Sequence, residues 1–371
     1  MDRAAWKQRM NEFLEPGKRI RPDINKEAAA ELAYKLYGLP EVTVTELNGY
    51  DDKNFHLKVK HVDEEADIWC HGYVLKVINS LDSTDTLAID GQTELLLYLE
   101  EQGFVCPVPV KNLKGEFYSK ETISDKEHAV RLLKYQPGSL FHEIPVTNQL
   151  LQQAGNYIAR LDLAMQGFQH TGFENRKNIW LLQHCPLVLK LLFAVPNENN
   201  KSLVTEVIKS FEEIVLRNQE KLEKGLIHGD FNEQNILVSK GSEDDIWDVC
   251  GILDFGDSHV SFYIFELSIA VCYMILQAKD LDPFTAGRHV ISGYTKVKRI
   301  PARELELLKI CVCARLCQSL VLGAYSYSIE PDSYLLVTAA RGWDMLRLLW
   351  NTSDDKINQR WISEITAPQG P

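Results

Sequence analysis

No uninterrupted apolar run in this sequence has the length that crossing a bilayer requires. The longest apolar run, Phe262 to Leu276, is interrupted by Glu266 and falls short of the roughly 20 residues that a spanning helix needs. Residues 1–23 contain basic side chains but no apolar core, and Glu12 and Glu15 speak against a transit peptide. A cytoplasmic protein without a membrane partner is therefore expected. Positive charge is also scarce. The 40 Lys and Arg residues stand against 52 Asp and Glu, a net charge of −12, which argues against a nucleic-acid footprint and suits a cationic ligand. The eight cysteines form no CxxC pair, and most lie in apolar surroundings, as free thiols do in a reducing compartment. Cys311, Cys313 and Cys317 share one stretch without a histidine beside them, so they read as helix core rather than as a metal site. Internal repeats and low-complexity tracts are missing too.

What is present is a chain of 371 residues, long enough for two lobes with separate cores. KEAAAELAYKLY (26–37) has helical spacing and ends at Gly38. Two strand-like runs, 42–47 and 55–60, flank the turn NGYDDKN and read as a hairpin. A polar turn, HVDEEAD (61–67), leads to the strand GYVLKVIN and then to a helix over 89–101. The strand VRLLKY runs into Pro137-Gly138, the best candidate for a boundary. Beyond it, helices are expected at 147–166 (capped by Thr147), 201–224, 262–277, 303–325 and 339–350, with strands confined to 226–238 and 247–254. A mostly β half thus precedes a mostly α half. The expected organisation is an N-terminal extension (1–25), an antiparallel sheet with one helix (26–135) and a larger helical part (136–371).

The chemistry is concentrated in LIHGDFNEQNILV. Asp230 and Asn235 sit five positions apart between two apolar runs, and Asp254 follows in ILDFGD at the end of another. Phosphoryl transfer needs a carboxylate to accept the proton of an attacking hydroxyl and oxygen ligands for Mg2+ ions that neutralise the phosphates. Asp230 suits the first task; Asn235 and Asp254 suit the second. Each piece alone reads more readily as a turn-capping residue, but all three occur in the order and strand context that a kinase requires. Upstream, Lys76 is a single cation in the apolar strand VLKVI, placed to hold phosphates, and Glu94 on the next helix is its expected partner. Where a kinase has a glycine-rich loop, LNGYDDKNF has one glycine, Gly49, whose backbone together with the Asn54 side chain is placed to cover phosphates.

HGDFNEQN, ILDFGD, the VLKV lysine and the Pro-Gly turn resemble the aminoglycoside phosphotransferase and choline kinase-like family, over residues 25 to 350 or so. The resemblance implies an α+β, bilobal, protein-kinase-like fold, with an N-terminal β-rich lobe and a larger helical C-terminal lobe. It implies that Asp230 is the catalytic base, that Asn235 and Asp254 bind Mg2+, that Lys76 binds phosphate, and that Leu133 and Tyr135 read the base through backbone groups of the hinge strand. GYDDKNFHL, YVLKVIN, CVCARLCQSLVLGAYS and VTAARGW resemble one branch of that family more narrowly. That branch implies GTP as donor, with ATP as the alternative, and the side-chain hydroxyl of 5-hydroxy-L-lysine as acceptor. Such a substrate carries two amines, for which Asp257 and Glu266 are candidate acidic partners; Glu266 reads equally well as a brace of the catalytic loop. Tyr263, Tyr325 and Trp343 offer faces for a cation, although core packing is the commoner role. No obligate protein partner is implied.

Other readings stay open. Another amino alcohol or an aminoglycoside-like acceptor with ATP is the nearest. A protein kinase is disfavoured, because Gly229 stands where such enzymes have arginine before the catalytic aspartate and no A-P-E segment follows Asp254. A nucleotide-binding pseudokinase usually lacks the lysine, the base or a metal ligand, whereas here all are present.

Overall fold

The computed structural model of the protein describes residues 19–60, 68–241 and 246–362. Most of the expected N-terminal extension, the polar turn 61–67 and the C-terminal tail lie outside them. The chain divides into two units. One comprises the described residues up to Gly138 together with His170–Gly172, and the other the described residues from Ser139 onward apart from those three.

The first unit is built on a six-stranded sheet. Helix α1 (Lys26–Tyr37) starts where the Asn25 side chain accepts the Ala28 N–H and ends at Gly38, whose φ of 67° is the left-handed C-cap conformation. Its buried face, Ala29, Ala33 and Leu36, packs on the sheet. Strands β1 (Val42–Leu47) and β2 (Lys53–Val59) form a hairpin with Leu47 opposite Asn54, and β3 (Tyr73–Val77) pairs with β2. Helix α2 (Thr86–Glu101), capped by Asp85, leads to β4 (Pro109–Val110), β5 (Ser119–Ile123) and β6 (Lys126–Lys134). The order is β1-β2-β3-β6-β4, with β5 paired to β6. Phe55, Leu57, Leu75, Val77, Val130 and Leu132 supply the core at period 2. Strand β5 is not foreseeable by pattern, because SKETI offers only one apolar side chain and pairing with β6 alone defines it.

The second unit opens with β7 (Ser139–Leu140) and α3 (Asn148–Met165), capped by Thr147. A 3-10 run (Leu182–Ala194) and α4 (Glu198–Ile214) precede four strands: β8 (Lys224–Ile227), β9 (Ile236–Lys240), β10 (Trp247–Ile252) and β11 (His259–Phe262). These form a three-stranded sheet β10-β9-β7 and the pair β11-β8. Then come α5 (Tyr263–Gln277), α6 (Pro283–Thr295), α7 (Ala302–Leu305), α8 (Leu308–Ile329), α9 (Ala339–Asn351) and α10 (Asp354–Trp361). Helix α8 is long and apolar enough to cross a membrane, but 89% of its most apolar window is buried inside the protein.

Helix α6 departs from the sequence pattern for one reason. In α6, Gly287 and Gly293 lower local helix propensity, yet a Cβ at Gly293 would overlap the Gln152 carbonyl of α3 and one at Gly287 would lie 2.7 Å from Trp361 of α10. Gly155 of α3 meets Val290 of α6 in the same way. The glycines permit close helix packing that no local pattern reveals.

Candidate active site

In the second unit, β8 and β9 hold the loop His228–Asn235 at both ends, because β8 is paired with β11 and β9 with β10 and β7. His228 is buried, and desolvation lowers its pKa. Its Nδ1 accepts the Asp230 N–H at 3.2 Å, so the proton of the neutral ring resides on Nε2 and is donated to the Leu253 carbonyl at 3.0 Å. Gly229 adopts φ 82°, and a Cβ there would stand 2.6 Å from the Asp257 carbonyl. Its N–H is donated to Glu266 Oε2 at 2.8 Å. The glycine in HGD is thus a steric requirement of the loop, as well as the absence of an arginine.

The loop presents Asp230 with both carboxylate oxygens held. Asn232 and Asn235 each donate a side-chain N–H to Oδ2 at 2.9 Å, and Arg315 Nη2 donates to Oδ1 at 2.9 Å. Asn235 Nδ2 also donates to the Asp230 carbonyl at 3.0 Å. Both of these bonds use the amide nitrogen, which leaves Asn235 Oδ1 as a metal acceptor. The Leu253 N–H donates to the Asn235 carbonyl at 2.7 Å and so sets Asp254 beside Asn235. Asp254 takes φ 53°, a left-handed conformation that costs a non-glycine residue about 1–3 kcal/mol. It accepts the Gly256 N–H at 3.1 Å on Oδ1. An all-oxygen donor pair of one amide and one strained carboxylate fits a hard divalent cation such as Mg2+.

Arg315 was not among the expected residues. It lies on α8 with its side chain wholly buried, and every branch of its guanidinium is used: Nε donates to Tyr273 Oη, Nη1 to the Trp180 carbonyl and Gln318 Oε1, and Nη2 to Asp230. An arginine thus reaches the catalytic loop from a helix 85 positions later in the chain. The signal was present in the sequence. A lone cation in CVCARLCQSLVLG is as anomalous as Lys76 in VLKVI, and the same reasoning applies to both.

The expected substrate carboxylates have structural partners. Asp257 Oδ1 accepts an N–H of Asn178 at 2.6 Å. Glu266 is fully buried behind the loop, where burial raises its pKa to about 8 and the Gly229 N–H opposes that rise. Its Oε2 braces the loop through Gly229, while its Oε1 is buried and has no hydrogen-bond partner among the described residues. A group whose folded pKa exceeds its ordinary 4.5 binds more protons folded than unfolded, so it makes stability fall as pH rises from about 4.5 to about 8. Glu266→Gln is expected to flatten the decline of the thermal midpoint across that window; an unchanged slope would assign the decline elsewhere. Glu233, unremarked in the sequence, has an Oε2 that is buried and without a hydrogen-bond partner among the described residues. Of the aromatic candidates, Tyr263 already has Lys298 Nζ 3.7 Å from its ring centroid, and Tyr325 is buried against Phe193. Trp343 lies half-buried on α9.

In the first unit, Lys76 is nearly buried in β3, with its Nζ 3.0 Å from Asp52 Oδ2. Glu94 does not reach it. The Glu94 side chain is 62% exposed on α2, its cationic neighbour is His170 at 3.9 Å, and it lines a cavity with Ser119 and Lys120 of β5. Gly49 is closely packed, since a Cβ would lie 2.7 Å from the Asp52 carbonyl, and its own carbonyl accepts from Arg21. Asn54 donates to the Asn48 carbonyl at 3.2 Å, across the base of the β1–β2 loop. Leu133 lies in β6 opposite Val74. Tyr135, expected to read a base by its backbone, has both backbone groups engaged: N–H to Gly72 and carbonyl to Trp69 Nε1.

A carboxylate with both oxygens held, followed by an amide and a carboxylate oxygen donor in a kinase-like fold, is the arrangement that phosphoryl transfer to an alcohol group requires, and the class is that of the small-molecule phosphotransferases. The chain belongs to the phosphotransferase enzyme family of the aminoglycoside phosphotransferases, whose model matches residues 43–300. It is similar to hydroxylysine kinase of Bos taurus, 32% identical over 92% of this chain and 93% of that protein, and to hydroxylysine kinase of Xenopus laevis, 33% identical over 92% and 94%. Among solved structures, an amicoumacin kinase superposes with a TM-score of 0.65 at 16% identity, covering 96% of this chain and 100% of that one.

Proposed function

We propose that this enzyme transfers the γ-phosphate of GTP to the side-chain hydroxyl of 5-hydroxy-L-lysine, giving 5-phosphohydroxylysine. The end-to-end similarity to hydroxylysine kinases carries the reading of the substrate. The site agrees with it chemically. In hydroxylysine the reacting hydroxyl is vicinal to an ammonium, and Glu233, three residues from Asp230 on the same loop, offers a buried carboxylate oxygen without a partner among the described residues. Asp230 receives the hydroxyl proton, Arg315 and the two asparagines fix the direction of approach, and Glu233 takes the neighbouring ammonium. Mg2+, when bound through Asn235 and Asp254, neutralises charge on the transferring phosphate. Lys76 binds the phosphates of the nucleotide.

A donor-and-acceptor panel tests this reading. GTP and ATP are each offered with hydroxylysine, ε-N-acetyl-hydroxylysine, lysine, ethanolamine, choline and an aminoglycoside, and phosphate transfer is measured. Transfer from GTP to hydroxylysine is expected to exceed every other pair, with none to lysine, which lacks the hydroxyl, and a sharp loss when the ε-amine is acetylated. Faster transfer from ATP, or preference for an aminoglycoside, would overturn the donor or acceptor assignment respectively.

A further inference from the structure

The lysine of a kinase strand is effective only if something anchors it, because a long side chain otherwise samples many rotamers while the phosphate waits for one. The expected anchor, Glu94, points elsewhere. Asp52, the last residue before β2, is in its place, and its two oxygens are used differently. Oδ2 accepts from Lys76 Nζ at 3.0 Å, whereas Oδ1 accepts from the Asn79 backbone N–H at 2.8 Å and from Asn79 Nδ2 at 3.0 Å. Asn79 is itself fixed. Its Nδ2 also donates to Asp82 at 2.8 Å, and its Oδ1 accepts the N–H groups of Leu81 and Asp82. The Lys76 and Asp52 side chains are only 7% and 18% exposed, so the pair is shielded from solvent screening.

We infer that Asp52 is the positioning residue for Lys76, replacing the helix glutamate of the kinase scheme. The anchor then comes from the β1–β2 loop and is tied to the β3–α2 connection, so the lysine, the loop and Asn79 form one rigid body within the sheet. In a kinase whose anchor is a helix glutamate, displacing the helix switches the enzyme off. Here the anchor lies one residue outside the strand paired with the lysine's own strand, Asn54 standing opposite Lys76, and a displacement of Glu94 leaves the Asp52–Lys76 pair intact. The assignment is independent of which alcohol is the acceptor.

Asp52→Asn is the discriminating variant. Its amide oxygen still accepts from Asn79, so the loop stays anchored, but its NH2 group faces Lys76 and cannot accept. The expected result, with saturating acceptor, is a fall in kcat of about 10- to 100-fold with the nucleotide KM changed much less, since the lysine's position matters most in the transition state. The double variant with Lys76→Ala should be no slower than Lys76→Ala alone, and Asp52→Glu should recover part of the rate. Glu94→Gln should be indistinguishable from the parent. Wild-type kcat in Asp52→Asn, additive losses in the double variant, or an equal fall in Glu94→Gln would each overturn the assignment. A generic loss of structure would instead lower the thermal midpoint and add to the Lys76→Ala loss.

Discussion

Replacing Asp230 by asparagine is expected to remove turnover by about 1000-fold or more while nucleotide binding persists. General-base contributions alone amount to roughly 100- to 10,000-fold, and the geometry here adds to that. The asparagine oxygen can remain on Arg315, but its NH2 group then meets Nδ2 of both Asn232 and Asn235, three donors facing one another. The alternative flip sets the NH2 group against the guanidinium. Either way the loop loses the arrangement that aims the base. Stability should fall as well, because Arg315 is wholly buried and its other partners are neutral. Leaving such a charge unpaired costs about 3–5 kcal/mol. Single-turnover assays with a nucleotide-binding titration check the first part, and denaturant unfolding checks the second. A variant that turns over within tenfold of the parent rate would show that Asp230 is not the base.

Substitution of Arg315 is expected to produce the second largest effect, with a different balance between activity and stability. In Arg315→Met, Asp230 loses the partner of Oδ1, but Asn232 and Asn235 still hold Oδ2, so the base is loosened rather than removed. A displacement of the reacting group by an ångström costs about 100-fold, and a fall in kcat of about 10- to 100-fold is expected. The stability loss should be smaller than in Asp230→Asn. The charge left behind is then Asp230, whose side chain is 23% exposed and partly hydrated, whereas Arg315 is not exposed at all. Arg315→Lys should not restore the rate, because a single ammonium cannot span Tyr273, Trp180, Gln318 and Asp230 together. Steady-state kinetics and unfolding of the three variants side by side provide the check. Full activity in Arg315→Lys would mean that a point charge suffices, and the fork geometry argued here would be irrelevant.

These effects also show why parts of the site escape a reading of the sequence. The catalytic loop is legible because its parts are close in sequence and flanked by strands: D-x4-N carries its own register, and Asp254 follows a recognisable apolar run. Lys76 is legible because a cation in an apolar strand requires an explanation. Its partner is not, since a helix glutamate was the generic expectation and Asp52 lay in a turn where acidic residues are common. Glu266 and Asp257 read as substrate ligands because acids near a catalytic base suggest function, and only the folded chain shows that one oxygen of each accepts from the protein, from Gly229 and Asn178. The helix pair α3 and α6 was half visible, because the glycines that weaken α6 as an isolated helix are the ones that let it approach α3.

The sequence by itself determined the class of fold, the order of strands and helices around the catalytic loop, and the identity of the residues that short-range spacing binds together. It did so because hydrophobic period and turn chemistry act over a few residues. Only the tertiary structure decided which charges meet. Arg315 reaches Asp230 across 85 positions, and Asp52 rather than Glu94 holds Lys76. The reason is physical: a buried charge must find its counter-charge within about 4 Å, and that distance is set by how helices and strands pack, which no local pattern of residues encodes.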